Sequence, residues 1–328
     1  MKTKGYWMIL LTLLWMGACQ SETQQQQSEK LEANTEISAP DFSSKFTIKH
    51  INLPSGNELA YVDEGTGSTT LLMIHGLGGN LKHWETNIKS LKENFRCIAI
   101  DLPGYGNSPF VESEANAVTF YADLINELKQ ELGLENTVII GHSMGGQVAI
   151  HSVLNAPENF QKMVLVSPAG LETFSSVEAM GIKSFATAAY YQQQGEKDIK
   201  TAFALNFHQQ PEVAESWIAE RIAMKEEEGF DAYCKTVERG VTGMLEAPVA
   251  ERLAELKVPV LVTFGQDDKL IPNRILHKDM TVQQVAEKAS AIPNHQIELI
   301  PEVGHMPHVE KPQVFEELLK HFLESAEI

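Results

Sequence analysis

The sequence predicts an α/β fold, with a mostly parallel, eight-stranded sheet flanked by helices and a block of further helices inserted after the sixth strand. Three observations carry that expectation. Short apolar, β-branched runs alternate with helix-length segments through residues 46–170 and again beyond 250. The run Val138-Ile139-Ile140 leads directly into Gly141-His142-Ser143-Met144-Gly145-Gly146, with a helix-like continuation at Gln147-Val148-Ala149-Ile150. Residues 171–250 break the alternation with a helix-prone stretch rich in Ala, Gln, Glu and Met that offers no strand.

Taken in order, strands are expected at 46–52, 58–63, 70–75, 96–101, 137–142, 162–167, 259–265 and 296–300. Unbroken runs such as Leu71-Leu72-Met73-Ile74 suit strands covered on both faces, as parallel strands are. Helices are expected at about 82–93, 118–132, 145–156, 282–291 and 312–324, where they supply the crossovers that parallel pairing requires. The core is therefore expected to comprise 41–170 and 251–328, with 171–250 as a helical cap. Phe174, Met180, Phe185, Phe207, Trp217 and Met244 are among the cap's large apolar residues, expected as cap core with some lining an apolar pocket. The cap is expected to set substrate selection and the core to set the chemistry.

Gly141-His142-Ser143-Met144-Gly145 is the pattern of a serine held on a sharp strand-to-helix turn. Gly141 and Gly145 remove the side chains that would collide across it, and the Ser143 hydroxyl is lifted above the sheet edge at the positive end of a helix dipole. A serine so placed needs a base, and the base an orienting acid, in the chain order Ser, Asp or Glu, His. Candidates follow two later strands: Asp267 and Asp268 after Pro259–Gly265, and His305 and His308 after Ile297–Ile300. All fall past the C-terminal ends of strands, where open α/β sheets place their sites. Acyl transfer also needs two N–H groups for the developing oxyanion, and the residue after the serine, Met144, supplies one.

Four stretches together resemble the α/β-hydrolase superfamily, in its single-domain, capped esterase and lipase-like branch, over about residues 46–325. They are His75-Gly76-Leu77-Gly78-Gly79, Asp101-Leu102-Pro103-Gly104-Tyr105-Gly106-Asn107-Ser108, the turn at Ser143, and the Gly-x-x-Asp and Gly-His pair. The resemblance implies a triad of Ser143, Asp268 and His305. The family spacing Gly-x-x-Asp-x-x-[Val/Ile]-Pro fits Gly265, Asp268, Ile271 and Pro272, leaving Asp267 as a solvated loop residue. The Gly-His-x-Pro pattern selects His305 and leaves His308 as a polar loop neighbour. It also implies Leu77 as the second oxyanion donor, a structural His75 and a packing His142.

The implied activity is hydrolysis of carboxylic esters of hydrophobic acyl groups through an acyl-enzyme. A carbon–carbon bond hydrolase, an acyltransferase, a cofactor-free peroxidase and a ligand-binding protein share the same scaffold. Dehalogenases and epoxide hydrolases need Asp where Ser143 stands. Fold alone does not choose among the former. No cofactor is expected: no Gly-x-Gly-x-x-Gly opens a helix at the head of the fold, and the remaining histidines lack metal-ligand spacing.

The N-terminus carries a second signal. Met1-Lys2-Thr3-Lys4 is basic, Tyr6–Met16 is uncharged and apolar, and Gly17-Ala18-Cys19 follows. That run is too short to span a ~30 Å hydrocarbon core and reads as an export leader. The small residues before Cys19 resemble a bacterial lipobox, although Met16 stands where leucine is preferred. The resemblance implies a signal peptide at 1–18, lipidation of Cys19 and a membrane lipoprotein facing the periplasm or the cell exterior. Residues 19–40, rich in Gln, Glu and Ser, bury too little to offset ordering entropy and are expected to form a tether. The chain carries a net charge of −18, and cleavage would take Lys2 and Lys4 with it. That acidity argues against nucleic acid as a partner. Cys97 in a strand and Cys234 in the cap imply no disulfide framework.

Overall fold

The computed structural model describes residues 44–325. The leader, Cys19 and the tether lie outside them. Eight strands form one sheet: β1 (Lys49–Asn52), β2 (Glu58–Glu64), β3 (Thr70–Ile74), β4 (Arg96–Ile100), β5 (Thr137–His142), β6 (Lys162–Val166), β7 (Val260–Gly265) and β8 (His295–Ile300). Their order across the sheet is β1-β2-β4-β3-β5-β6-β7-β8. β2 runs antiparallel to both neighbours, and the pairs from β4 to β8 are parallel. Every expected strand is present to within a few residues.

The core divides into two halves because alternate residues of each strand point to opposite faces. On one side Leu72, Ile74, Ile98, Ile139 and Leu165 pack under helices α2 (Ala117–Glu131) and α3 (Met144–Asn155). On the other, Leu71, Met73, Ala99, Ile140 and Val166 meet Trp84, Ile88, Phe315, Leu319 and Phe322. The latter come from a 3₁₀ turn at Leu81–Trp84, helix α1 (Glu85–Leu91) and the C-terminal helix Pro312–Glu324. The first expected helix is therefore a 3₁₀ turn running into a short α-helix. The fourth likewise splits into Val282–Ala286 and a 3₁₀ segment Glu287–Ala291.

Between β6 and β7 the chain forms five α-helices, a 3₁₀ segment (Ala250–Glu255) and no strand: the α-helices are α4 (Ser176–Phe185), α5 (Ala188–Gln193), α6 (Glu196–Ala204), α7 (Val213–Met224) and α8 (Phe230–Glu246). The longest, α8, approaches the core closely because its contacting residues are small. A side-chain carbon built on Gly240 would lie 2.6 Å from Leu77 Cδ1 and 3.1 Å from Met144 Sδ. Gln147 on α3 fastens the end of α8 by donating to the Met244 and Ala247 carbonyls at 2.9 and 2.7 Å.

Strand order places the site. β3 has β4 on one side and β5 on the other, so the connection from β3 to β4 and the one from β4 to β5 run in opposite directions across the sheet. That reversal opens a crevice at the C-terminal ends of β3 and β5. With Ile74 paired to Gly141, the His75–Gly79 loop and the Ser143 turn face each other across it.

Candidate active site

Ser143 sits between β5 and α3 at φ 52, ψ −117, a backbone conformation that L-residues rarely adopt. The neighbouring glycines explain why the turn can close. A side-chain carbon at Gly141 would lie 2.2 Å from the Gly145 carbonyl, and one at Gly145 would lie 2.5 Å from the carbonyls of Ile74 and His75. The Ser143 carbonyl receives Gly146 N–H at 2.9 Å and Ala169 N–H at 3.0 Å, tying the turn to the segment after β6.

Asp268 and His305 meet directly. His305 Nδ1–H donates to Asp268 Oδ2 at 2.7 Å, with both side chains buried. Asp268 Oδ1 accepts the Leu270 and Ile271 N–H groups at 2.8 and 3.0 Å, so the carboxylate is fully engaged and aimed. Gly265 makes this approach possible, since a side-chain carbon there would lie 2.1 Å from the Gly304 carbonyl. Asp267 turns outward, half-exposed, and pairs with His208 at 2.9 Å. The two adjacent aspartates thus point to different partners, Asp268 to His305 and Asp267 to His208, the latter an ion pair the sequence did not reveal.

His142 links the histidine loop to the serine turn. Its Nε2–H donates to the His305 carbonyl at 3.0 Å, and the two rings lie 4.9 Å apart. Across the crevice, Gly76 to Gly79 form a tight turn closed by Gly79 N–H to the Gly76 carbonyl at 3.1 Å. Gly78 takes φ +69 at its third position, which marks a type II turn. Leu77 is the second residue of that turn, and its N–H makes no backbone hydrogen bond among the described residues. Met144 is the first residue of α3, where N–H groups have no intrahelical acceptor. His75 is structural: Nδ1–H donates to the Gly76 carbonyl at 2.8 Å and Nε2 accepts Leu102 N–H at 3.1 Å. Asp101 braces the loop from behind, accepting Leu81 and Asn107 N–H groups, each at 2.7 Å.

The inserted helices hold both loops, which the sequence did not foretell. Arg221 of α7 donates through Nη2 to the Gly78 carbonyl, and Tyr233 of α8 donates to the same oxygen at 3.3 Å. The guanidinium lies over the Tyr233 ring, 4.3 Å from its centre. On the opposite side, His305 N–H donates to the Asn206 carbonyl at 2.7 Å, and Met306 and Val309 pack with Phe207, Ala214 and Trp217. Beyond the substrate selection expected of it, the cap has a structural part in the site. The insertion supplies a backbone acceptor to His305 itself and clamps the loop that carries Leu77. Arg221→Met is expected to lower kcat/KM about tenfold, mostly in kcat, because it releases the Gly78 carbonyl and loosens the turn that carries Leu77 N–H, the donor expected to meet the oxyanion in the transition state. Arg221→Lys should recover part of the loss. Steady-state kinetics at unchanged thermal stability checks this.

His308 also departs from expectation. It lies not on a polar loop but in a short helix, Pro307–Glu310, fully buried. Its ring packs 4.2 Å from Trp84 and 4.8 Å from His142, and neither ring nitrogen has a partner among the described residues. An imidazole so enclosed stays neutral: burial and the neighbouring His83 and His305 hold it well below its ordinary value. His142 is likewise held low by burial, then by His308 and His305. Burial lowers His75 to about 4 and His83 to about 3.

These imidazoles make stability depend on pH. The unfolded chain protonates them near 6.5, the folded chain only at lower pH, so between those values the unfolded state binds more protons. Their contribution is present above about pH 6.5 and lost as pH falls. Asp101 opposes them: burial raises it to about 6, so the folded state holds that proton longer and gains stability as pH falls through 6. Four groups outweigh one. Melting temperature should fall steeply below pH 6.5, and His308→Phe should flatten the fall by one proton, ~1.4 kcal/mol per pH unit at most. A flat profile from pH 7.5 to 4.5 would contradict neutral burial.

Cys97 and Cys234 are buried free thiols, pushed up by burial to about 12 and about 11. Among the described residues, no cluster of three or more His, Cys, Asp or Glu is arranged to hold a metal ion.

Comparison with known proteins places this geometry in context. A profile of the alpha/beta hydrolase fold matches residues 69–312. The chain is 28% identical to the dihydrolipoyllysine-residue acetyltransferase component of the acetoin cleaving system of Cupriavidus necator, over 82% of this chain and 67% of that one. It is 29% identical to Lipase 1 of Psychrobacter immobilis, over 81% of each. A probable hydrolytic enzyme of Pseudomonas aeruginosa PAO1 superposes with a TM-score of 0.77 at 22% identity, over 87% of this chain and 96% of that one, which is a likeness of fold.

Proposed function

The chain belongs to the alpha/beta hydrolase fold family, and from that premise we propose that it is a serine hydrolase cleaving carboxylic esters of hydrophobic acyl groups. The observation that carries the reading is the buried His305–Asp268 pair at 2.7 Å, joined through His142 to the strained Ser143 turn. His305 takes the Ser143 proton as Oγ attacks the ester carbonyl. The Leu77 and Met144 N–H groups receive the oxyanion. His305 then protonates the leaving alcohol and activates the water that resolves the acyl-enzyme, while Asp268 holds the ring's tautomer and stabilises its charged form. The similarity to Lipase 1 supports the substrate class.

A second reading keeps the same acyl-enzyme but passes the acyl group to an acceptor other than water. The similarity to an acetyltransferase component favours it. We also propose that the protein is exported and anchored through lipidated Cys19. No helix among the described residues is long and apolar enough to cross a membrane.

A panel of p-nitrophenyl esters of increasing acyl length, run with added alcohols and with a vinylogous diketone, tests the reading. Ester turnover with a chain-length preference is expected. Product partition to the alcohols would favour acyl transfer, cleavage of the diketone alone would make the protein a carbon–carbon hydrolase, and no turnover would leave a binding role.

A further inference from the structure

Helix α4 is amphipathic in the opposite sense to a helix packed on a core. None of its residues is buried. Val177, Met180, Gly181, Ser184 and Phe185 are exposed, at the i, i+3, i+4, i+7, i+8 spacing that marks a single helix face, and none is charged. Val177, Met180 and Phe185 are 79%, 68% and 78% exposed. The charged residues of the helix are engaged elsewhere: Lys183 pairs with Glu246 at 2.8 Å, and Glu178 caps Ser175 and reaches His277 at 3.5 Å. Ile275, two residues before His277, adds a side chain that is 80% exposed.

We propose that this face of α4 seats the catalytic domain on a lipid bilayer, so that the site draws its ester from the membrane interface. The proposal rests on the ester-hydrolase and Cys19-anchor readings above. Three observations favour lipid over a second copy of the chain. Four such side chains expose on the order of a few hundred Å², well short of the ~800 Å² per partner of a stable dimer. The face carries no charge while the whole chain carries −18, so the contact suits zwitterionic or neutral lipid and not an anionic surface. Finally, the 25 positions from Cys19 to Ser44 limit the anchor-to-domain distance to at most roughly 90 Å, so a weak apolar contact acts at high local concentration. The helix is also close in sequence to the site, starting seven residues after Ala169, whose N–H meets the Ser143 carbonyl.

The test uses the full chain reconstituted in phosphatidylcholine vesicles. A polarity-sensitive fluorophore on Ser184→Cys should shift to the blue and be quenched by brominated lipid, with unlabelled-site background set by the parent protein. The same label on Glu135→Cys, exposed at the N-terminal end of the sheet, should do neither. Adding Val177→Glu, Met180→Glu and Phe185→Glu should abolish the Ser184 signal and cut turnover of a vesicle-embedded ester at least tenfold. Turnover of a dissolved short-chain ester should stay within twofold. An unshifted label at 184, or a shift that sedimentation assigns to self-association, would overturn the proposal. Because insertion is read without turnover, an inactive protein whose α4 still inserts would defeat the ester reading and leave the docking proposal standing.

Discussion

Replacing His305 by alanine is expected to lower kcat/KM for a dissolved ester by roughly three or more orders of magnitude, since triad members act as a unit. The contrast with His308 makes the experiment specific. His308 is buried against Trp84 and His142, and neither of its ring nitrogens has a partner among the described residues. His308→Phe keeps an aromatic ring, slightly larger, and removes an unpartnered polar group, so activity should change by less than about tenfold, ~1.4 kcal/mol of barrier. Alanine at 308 is the poorer choice because it opens a cavity beside Trp84. If His308→Phe abolishes turnover while His305→Ala retains it, the assignment of the base is wrong.

Asp268→Asn should cost roughly 10⁴-fold in kcat, because an amide facing Nδ1 fixes the wrong imidazole tautomer. The same change at Asp267 removes only a half-exposed pair with His208, a contact of the kind worth ~0–1 kcal/mol. Its kcat should stay within about threefold. Kinetics on the two variants, with circular dichroism to confirm folding, would expose a register error if their severities were exchanged.

The sequence made the sheet legible because its central strands, β3, β5 and β7 above all, are almost wholly apolar and buried. Val138–Ile140 and Gly141 needed no partner to be read. The proposed triad was a local reading too: Ser143, Asp268 and His305 each lie within a few residues of a strand's C-terminal end. What the chain order could not reveal was contact between segments far apart. Asn206 and His305 are brought together by the insertion folding back across the end of β8, and Arg221 reaches Gly78 over 143 positions. His308 was misread because its polarity suggested solvent, whereas the packing of Trp84 and Phe315 encloses it. The outward apolar face of α4 had the periodicity of a buried helix, and only the fold shows which way it points.

The central claim is that Ser143 is the covalent nucleophile. Intact-protein mass spectrometry after exposure to a fluorophosphonate tests it directly. A single adduct that maps to Ser143 is expected on the parent protein, slowed severely in His305→Ala and absent from Ser143→Ala. An adduct of equal yield on Ser143→Ala, or one that maps to another residue, would contradict it.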